Sequence, residues 1–113
     1  MTGKDLVFRY FKLLSNKDIE NLLNLFTEDA VVYEPFSKSE GLRGKASIEP
    51  FLRVAMMATD ALDQNIVIEN EDSDGKMRKI TALVTFKRGD KVRGRFTFHV
   101  DNSMIKILNI QFP

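Results

Sequence analysis

Two apolar stripes at helical spacing occupy the first quarter of the chain. One consists of Val7, Tyr10, Phe11 and Leu14, and the other of Ile19, Leu22, Leu23 and Phe26. Each stripe follows the i, i+3, i+4, i+7 pattern of an amphipathic helix. Thr2 and Asp18 are suitable N-caps, and the polar residues 15–17 separate the helices. We therefore predict an antiparallel helical hairpin that ends in a turn at residues 27–29.

A short strand, a polar loop and a third helix are predicted next. Residues 30–34 (Ala-Val-Val-Tyr-Glu) are rich in β-branched and aromatic side chains, which favour a strand, and Pro35 ends it. Residues 37–41 form a polar loop. The third helix is expected over residues 47–60, with Ser47 as its N-cap and Pro50 in its first turn, where a missing amide donor costs little.

The second half of the chain predicts four consecutive antiparallel strands, over residues 64–70, 77–88, 91–101 and 104–112. Turns are expected at 72–75, 88–90 and 102–103. Alternation places Phe96, Phe98 and Val100 on the face toward the helices and His99 on the opposite face. This order of elements predicts one α+β domain over residues 1–113. Three helices cannot fully cover a long bent sheet, so an apolar cavity is expected at its wide end.

Charge and composition narrow the function classes. The 17 basic and 16 acidic residues give a net charge of +1, which offers no electrostatic attraction for nucleic acid or an anionic membrane. The absence of cysteine excludes disulfides, cysteine-based zinc sites and thiol nucleophiles, and the single histidine argues against a histidine-rich metal site. No apolar run approaches the ~20 residues of a membrane span. We expect a soluble, cytoplasmic protein without metal, cofactor, nucleic-acid or membrane partner.

The segments RYFKLLSNKDIENLLNLFTEDAVVYEPF and GLRGKASIEPFLR carry a family resemblance. They resemble the ketosteroid isomerase and SnoaL-like branch of the nuclear-transport-factor-2-like superfamily. The resemblance covers the whole chain as an order of elements and is most specific in the first half. It implies a cone-shaped barrel of a strongly bent, mainly antiparallel sheet, with three N-terminal helices on its concave face, which is a cystatin-like fold.

The resemblance also implies two catalytic residues. The isomerases of this family use a tyrosine of the first helix as oxyanion donor and an acidic residue before a proline as base. These positions correspond to Tyr10 and to Glu34, which precedes Pro35. The second oxyanion donor of the isomerases, a protonated aspartate, corresponds to Phe96 here, which departs from the steroid isomerase pattern.

The chemistry of these residue types agrees with that assignment. Proton removal next to a carbonyl needs a base with a pKa that an apolar wall raises toward neutrality, and the developing enolate needs a hydrogen-bond donor. In the isomerases that the chain resembles, an apolar site keeps a carboxylic acid neutral by the same effect. Apolar side chains are expected to line the ligand site: Leu14, Phe26, Phe36, Phe51, Phe86, Phe96 and Phe98.

Simpler interpretations stay open at each position. Tyr10 fits a core tyrosine with its hydroxyl bonded to backbone, and Glu34 fits a solvated residue at a strand end. Glu28 and Asp29 are expected to be solvated turn residues, and Arg43 a surface loop residue. His99 fits a packing histidine or a dimer-interface histidine on the outer face of the sheet.

Three functional hypotheses follow. The first is an enolising isomerase, related to steroid delta-isomerases, that acts on a small apolar carbonyl compound. The second is a non-catalytic module that binds an apolar small molecule, and the third is a dimerisation module with a solid core. An epoxide hydrolase of the same superfamily would need an Asp-Arg-Asp set that we cannot place. A homodimer through the outer sheet face, near Leu83, is also expected.

Overall fold

A computed structural model describes residues 2–36, 40–88 and 90–112, and in these ranges it contains three helices and six strands. The elements are α1 (Gly3–Ser15), α2 (Ile19–Leu23), β1 (Phe26–Tyr33), β2 (Leu42–Arg43), α3 (Lys45–Ala58), β3 (Asp63–Asp74), β4 (Met77–Arg88), β5 (Asp90–Asp101) and β6 (Met104–Gln111). The predicted α+β class is confirmed.

The strands form one sheet in the order β2-β1-β6-β5-β4-β3. The four long strands predicted to be antiparallel are paired in that way, and β1 joins β6 in parallel. The sheet is therefore mixed but mostly antiparallel, and it curls around the helices. Helix α1 contacts β4 and helix α3 contacts β1, so the helices close the concave face that the sequence predicts.

Helix α1 begins with a complete capping box. The Thr2 hydroxyl accepts a hydrogen bond from the Asp5 amide at 3.2 Å, and the Asp5 carboxylate accepts one from the Thr2 amide at 3.1 Å. These two bonds satisfy amide donors that have no partner inside the helix. Asp18 caps α2 similarly, because its side chain accepts from the Asn21 amide. Both predicted N-caps are confirmed.

The predicted end of the second helix is wrong. Helix α2 stops at Leu23, and Phe26 starts strand β1 instead of completing the helical stripe. Phe26 pairs with Ile105 of β6 and is fully buried. The predicted turn at residues 27–29 is thus part of β1, in the stretch where the register against β6 shifts between the Phe26–Ile105 pair and the Val31–Ile107 pair.

Several other boundaries differ from the prediction. Helix α3 begins at Lys45, after Gly44 with its positive φ of 82°, so Ser47 is not the N-cap and Pro50 lies beyond the first turn. The short strand β2 falls next to the predicted loop, where no strand is expected from the sequence. Strand β3 extends to Asp74, so the hairpin turn lies at 75–76 rather than 72–75. Parts of the predicted loop and turn, residues 37–39 and Gly89, are outside the described residues.

Alternation correctly assigns the two faces of the sheet. The inward positions of β4 and β5 are buried, namely Ile80, Ala82, Val84, Phe86, Phe96, Phe98 and Val100. The positions between them, such as Thr97 and His99, are partly exposed on the outer face. The core lies between this inner face and the stripe of α1, in which Val7, Tyr10 and Phe11 are almost completely buried.

Candidate active site

An apolar cavity of about 430 Å³ opens between helix α1, helix α3 and one end of the sheet. This volume lies within the range of pockets that hold small organic ligands. The lining residues are Tyr10, Leu14, Glu34, Pro35, Phe36, Leu42, Ser47, Pro50, Phe51, Val54, Ala55, Ala58, Thr59, Phe86, Phe96, Ile110 and Phe112. Most of these side chains are apolar, so the polar groups of Tyr10, Glu34, Ser47 and Thr59 determine what chemistry the cavity can perform.

Tyr10 supplies a hydroxyl at the buried side of the cavity. It lies on the apolar stripe of α1 and is only 1% exposed. Edge-on contacts hold its ring, with centroids 4.9 Å from Phe11 and 5.4 Å from Phe98. Such edge-to-face pairs favour one ring orientation. The position of the phenol is therefore fixed by the core and does not depend on a ligand.

The hydroxyl is the polar group of the Tyr10 side chain, which borders the cavity. In the part of the chain that the structure describes, no hydrogen bond joins this hydroxyl to another residue. Among the described residues, Nε2 of Gln64 is the atom found to be fully buried without a hydrogen-bond partner, and the Tyr10 hydroxyl does not share that condition. Tyr10 borders this cavity, so its hydroxyl is a candidate hydrogen-bond donor to a ligand there.

Burial raises the pKa of the Tyr10 phenol well above its ordinary value of 10.0. The cause is desolvation, because a phenolate inside an apolar environment loses the water that would stabilise its charge. The group consequently remains a neutral O–H around neutral pH. It can donate a hydrogen bond to an oxygen of a ligand and does not act as a base.

Glu34 follows the last residue of β1 and lies at the rim of the cavity. Its side chain lines both the cavity and an outer groove that includes Arg95 and Asn109. Oxygen Oε2 accepts a hydrogen bond from the Phe36 amide at 2.8 Å, across Pro35. This bond leaves Oε1 available for a proton. The residue is only half-buried, and its side chain lies between the groove and the cavity.

The predicted lining residues divide into two groups. Tyr10, Glu34, Leu14, Phe36, Phe51, Phe86 and Phe96 border the cavity together. Phe26 and Phe98 do not border it, because they lie in the solid core on the other side of Tyr10. Their sequence pattern indicates burial but does not distinguish the filled part of the cone from the hollow part.

Sequence reasoning misses several lining residues. Leu42 is not predicted to line the cavity because no local pattern predicts strand β2. Val54, Ala58 and Thr59 extend the lining along α3 and are also not predicted. Phe112 and Ile110 also line it. The sequence does hold a signal for this pair, since Leu108, Ile110 and Phe112 alternate with polar residues and so belong to the inner face of the last strand.

The other charged candidates lie away from the cavity. Glu28 pairs with Lys45 at 3.3 Å and Asp29 with Lys106 at 3.4 Å, both at the surface of β1. Arg43 is exposed on β2. His99 lies on the outer face opposite Lys79, and its pKa is lowered by desolvation and then by the charge of Lys79.

Neither a metal cluster nor a membrane-spanning helix is present among the described residues. No three or more His, Cys, Asp or Glu side chains of residues 2–36, 40–88 and 90–112 come together as metal ligands. Within the same ranges, no helix combines the length and the apolar character needed to cross a bilayer.

Comparison with known proteins identifies the kind of domain. Residues 7–106 match the family model of the SnoaL-like domain. Among curated proteins, none matches the chain. A candidate polyketide cyclase from Sinorhizobium meliloti is similar in structure at a TM-score of 0.67, with 25% identity over 95% of this chain and 94% of that one.

Two further structures share the fold. A candidate ketosteroid isomerase from Kribbella flavida has a TM-score of 0.65 and 21% identity, over 96% of this chain and 76% of that one. A computationally designed binder of 17-OHP has a TM-score of 0.67 and 17% identity, over 96% of this chain and 90% of that one. The similar structures thus include proteins named for enzymes and one named for ligand binding.

Proposed function

The chain belongs to the family of SnoaL-like domains in the nuclear-transport-factor-2-like superfamily, and we propose that it catalyses an acid–base, enolising reaction on a small apolar carbonyl compound. One observation carries the proposal: the Tyr10 phenol and the Glu34 carboxylate border the same apolar cavity. The two groups come from α1 and from the end of β1, and this supports a proposal in which one donates a hydrogen bond and the other accepts a proton from the same ligand.

Each group has one role in the proposed reaction. Oε1 of Glu34 removes a proton from the carbon next to the carbonyl, and the same oxygen returns it at a new position. The neutral Tyr10 hydroxyl donates a hydrogen bond to the oxygen that becomes negative in the enolate. A positioned base contributes about 10²–10⁴ to the rate, and one oxyanion donor about 10²–10³.

Phe96 restricts the expected rate and substrate. Its ring is 5.0 Å from Phe11 and borders the cavity where the resemblance implies a second oxyanion donor. A phenyl ring cannot donate a hydrogen bond to the enolate, so Tyr10 is the donor on which the proposal depends. We therefore expect weaker catalysis than that of a two-donor isomerase, and we place steroid isomerisation itself second to smaller apolar ketones.

A β,γ-unsaturated ketone tests the proposal. Its conversion to the conjugated ketone is followed by ultraviolet absorbance for the wild type, Glu34→Gln and Glu28→Gln. We expect Glu34→Gln to lose turnover, because an amide cannot accept the proton. Glu28→Gln is the matched control, since Glu28 lies outside the cavity. Turnover in Glu34→Gln equal to that of the wild type would dispose of the assignment.

A non-catalytic binding role is the second candidate. It is supported by the almost wholly apolar lining and by the likeness of the fold to the designed 17-OHP binder. Calorimetric titration with a phenolic steroid and with a saturated ketone distinguishes the candidates when it is combined with the ketone assay. Binding without turnover of any unsaturated ketone favours this role, and turnover favours the enzyme.

We also propose that the protein forms a homodimer. A homodimer through the outer sheet face is supported by Val67 and Leu83, which oppose each other there, with Val67 48% exposed. Cross-strand apolar pairs of this kind suit an isologous two-fold contact. A single functional domain over residues 1–113 and a cytoplasmic location stay predictions.

A further inference from the structure

Two exposed aromatic rings meet at the mouth of the cavity. Phe36, in the loop after β1, is 86% exposed, and Phe112, just after β6, is 42% exposed. Their centroids are 6.0 Å apart with the rings tilted by 41°. Both also line the cavity. We name this pair the aromatic clasp. Large apolar side chains with this exposure carry a hydration cost, so their contact with each other is favourable.

The Phe112 ring of the clasp packs against the backbone of Gly94, and we call this contact the seat. A Cβ atom at this position of β5 would lie 3.1 Å from Cε1 of Phe112 and 2.8 Å from Cε1 of Phe96. The distance to Phe96 is shorter than real Cβ contacts and the distance to Phe112 is tighter than most of them, so a side chain at position 94 would press on both rings. The clasp is thereby attached to the sheet through Phe112.

The other ring of the clasp is attached to the proposed base. The backbone amide of Phe36 donates the 2.8 Å hydrogen bond to Oε2 of Glu34. Only Pro35 lies between the two residues, and its ring fixes one of the backbone angles that link them. The place of the Phe36 backbone therefore determines where the Glu34 carboxylate is held relative to the cavity.

From these contacts we infer that Phe112 is a positioning residue for Glu34, acting through Phe36. Phe112 rests on Gly94 and holds the Phe36 ring, and the Phe36 amide in turn holds Oε2 and leaves Oε1 toward the ligand. Any effect of Phe112 on catalysis rests on the proposed function. The effect of Phe112 on the position of the Glu34 carboxylate can be measured whether or not the protein is an enzyme.

Proton NMR of the Phe36 amide tests the inference on the full chain. An amide that donates to a carboxylate shifts when that carboxylate takes up a proton, so we expect the wild-type Phe36 resonance to move in an acid titration. Glu34→Gln should abolish that movement and thereby identify its source. Phe112→Ala should remove most of it, because the loop is released and the amide leaves the carboxylate.

Two further variants make the result decisive. Phe8→Ala is the matched control, since Phe8 is an exposed phenylalanine of α1 outside the cavity, and it should keep the wild-type titration. Phe112→Leu should restore part of the movement, because leucine still fills the seat. If Phe112→Ala does not fold, Gly94→Ala displaces the ring from the seat, and the same loss is expected.

The outcome separates this inference from the proposed function. A Phe36 titration in Phe112→Ala, or in Gly94→Ala, as large as in the wild type would overturn the positioning role. The ketone assay could fail while the Phe36 titration behaves as expected, which would leave a positioned carboxylate without the proposed reaction. If instead the ketone assay succeeds and Phe112→Ala keeps the wild-type Phe36 titration, Glu34 remains the proposed base and Phe112 does not position it.

Discussion

At the scale of single residues, Tyr10 combines the properties of a core residue and of a site residue. Its ring packs edge-on against Phe11, Phe26 and Phe98, which fixes it as firmly as any side chain of the core. Its hydroxyl, in contrast, has no hydrogen-bond partner among the described residues, and Tyr10 borders the cavity. A hydroxyl without a hydrogen-bond partner gives no packing advantage over a phenyl ring, and our proposal gives it a role in ligand recognition instead.

Tyr10→Phe separates these two properties. We expect the free energy of unfolding, measured in urea, to stay unchanged or to rise slightly, because the substitution removes only an unpaired hydroxyl. Turnover of any substrate should fall by about 10²–10³, the contribution of one oxyanion donor. A loss of stability of about 1 kcal/mol with unchanged turnover would instead indicate a hydroxyl bonded within the core.

His99 gives the molecule a pH-dependent stability on the opposite face. Desolvation, and then the charge of Lys79, lower the pKa of His99 below 6.5, so the unfolded chain binds the proton more readily than the folded one. Stability should therefore fall as the pH drops through about 6.5 toward the folded-state pKa, and should be regained above it.

Urea unfolding between about pH 8 and about pH 5.5 measures this effect. His99→Gln should flatten the profile, because glutamine does not titrate. Lys79→Gln should reduce the slope without removing it, since the charge of Lys79 is the smaller of the two causes. An unaltered slope in His99→Gln would show that another group is responsible.

At the scale of elements, the sequence predicts the start of a helix only where the side chain of the N-cap residue hydrogen-bonds to the first turn. Thr2 and Asp18 are identified from the sequence because their side chains accept amide hydrogen bonds. The start of α3 differs from the prediction because Gly44 caps it through backbone conformation, which leaves no side-chain signature. The spacing of Phe26 fits the preceding helix, and only its pairing with Ile105, far along the chain, places it in a strand.

Thr2→Ala tests the capping of α1. The loss of one N-cap hydroxyl should lower the free energy of unfolding by about 1 kcal/mol in urea. Ser47→Ala is the matched control, because Ser47 lies inside α3 and makes no cap hydrogen bond. We expect it to leave stability nearly unchanged. Equal destabilisation by both substitutions would contradict the observed start of α3.

At the scale of the whole molecule, the sequence predicts the architecture better than the cavity. Period-two alternation gives the buried face of β4 and β5, the order of elements gives the α+β class, and the family resemblance implies the cone. The extent of the hollow depends on how far α3 stands from the sheet, which no local pattern encodes. For this reason Phe98, predicted to line the cavity, lies in the core, while Phe112 lines the cavity without being predicted to do so.

Leu83→Glu tests the proposed homodimer. A carboxylate at the centre of an isologous contact would meet its symmetry mate, so dissociation into monomers is expected. Light scattering after gel filtration gives the molecular mass of the particle. Glu71→Gln, at an exposed position of β3, is the control variant and should keep the mass of the wild type. A wild type that elutes as a monomer across a wide concentration range would contradict the dimer.

The central claim is that Glu34 and Tyr10 act on one ligand inside the apolar cavity, and proton exchange measures it most directly. A small apolar ketone is incubated in deuterated water with the wild type, Tyr10→Phe or Glu34→Gln, and deuterium uptake at the carbon beside the carbonyl is followed by NMR. We predict accelerated uptake by the wild type, slower uptake by Tyr10→Phe, and only the background rate in Glu34→Gln. Acceleration that persists in Glu34→Gln would contradict the claim.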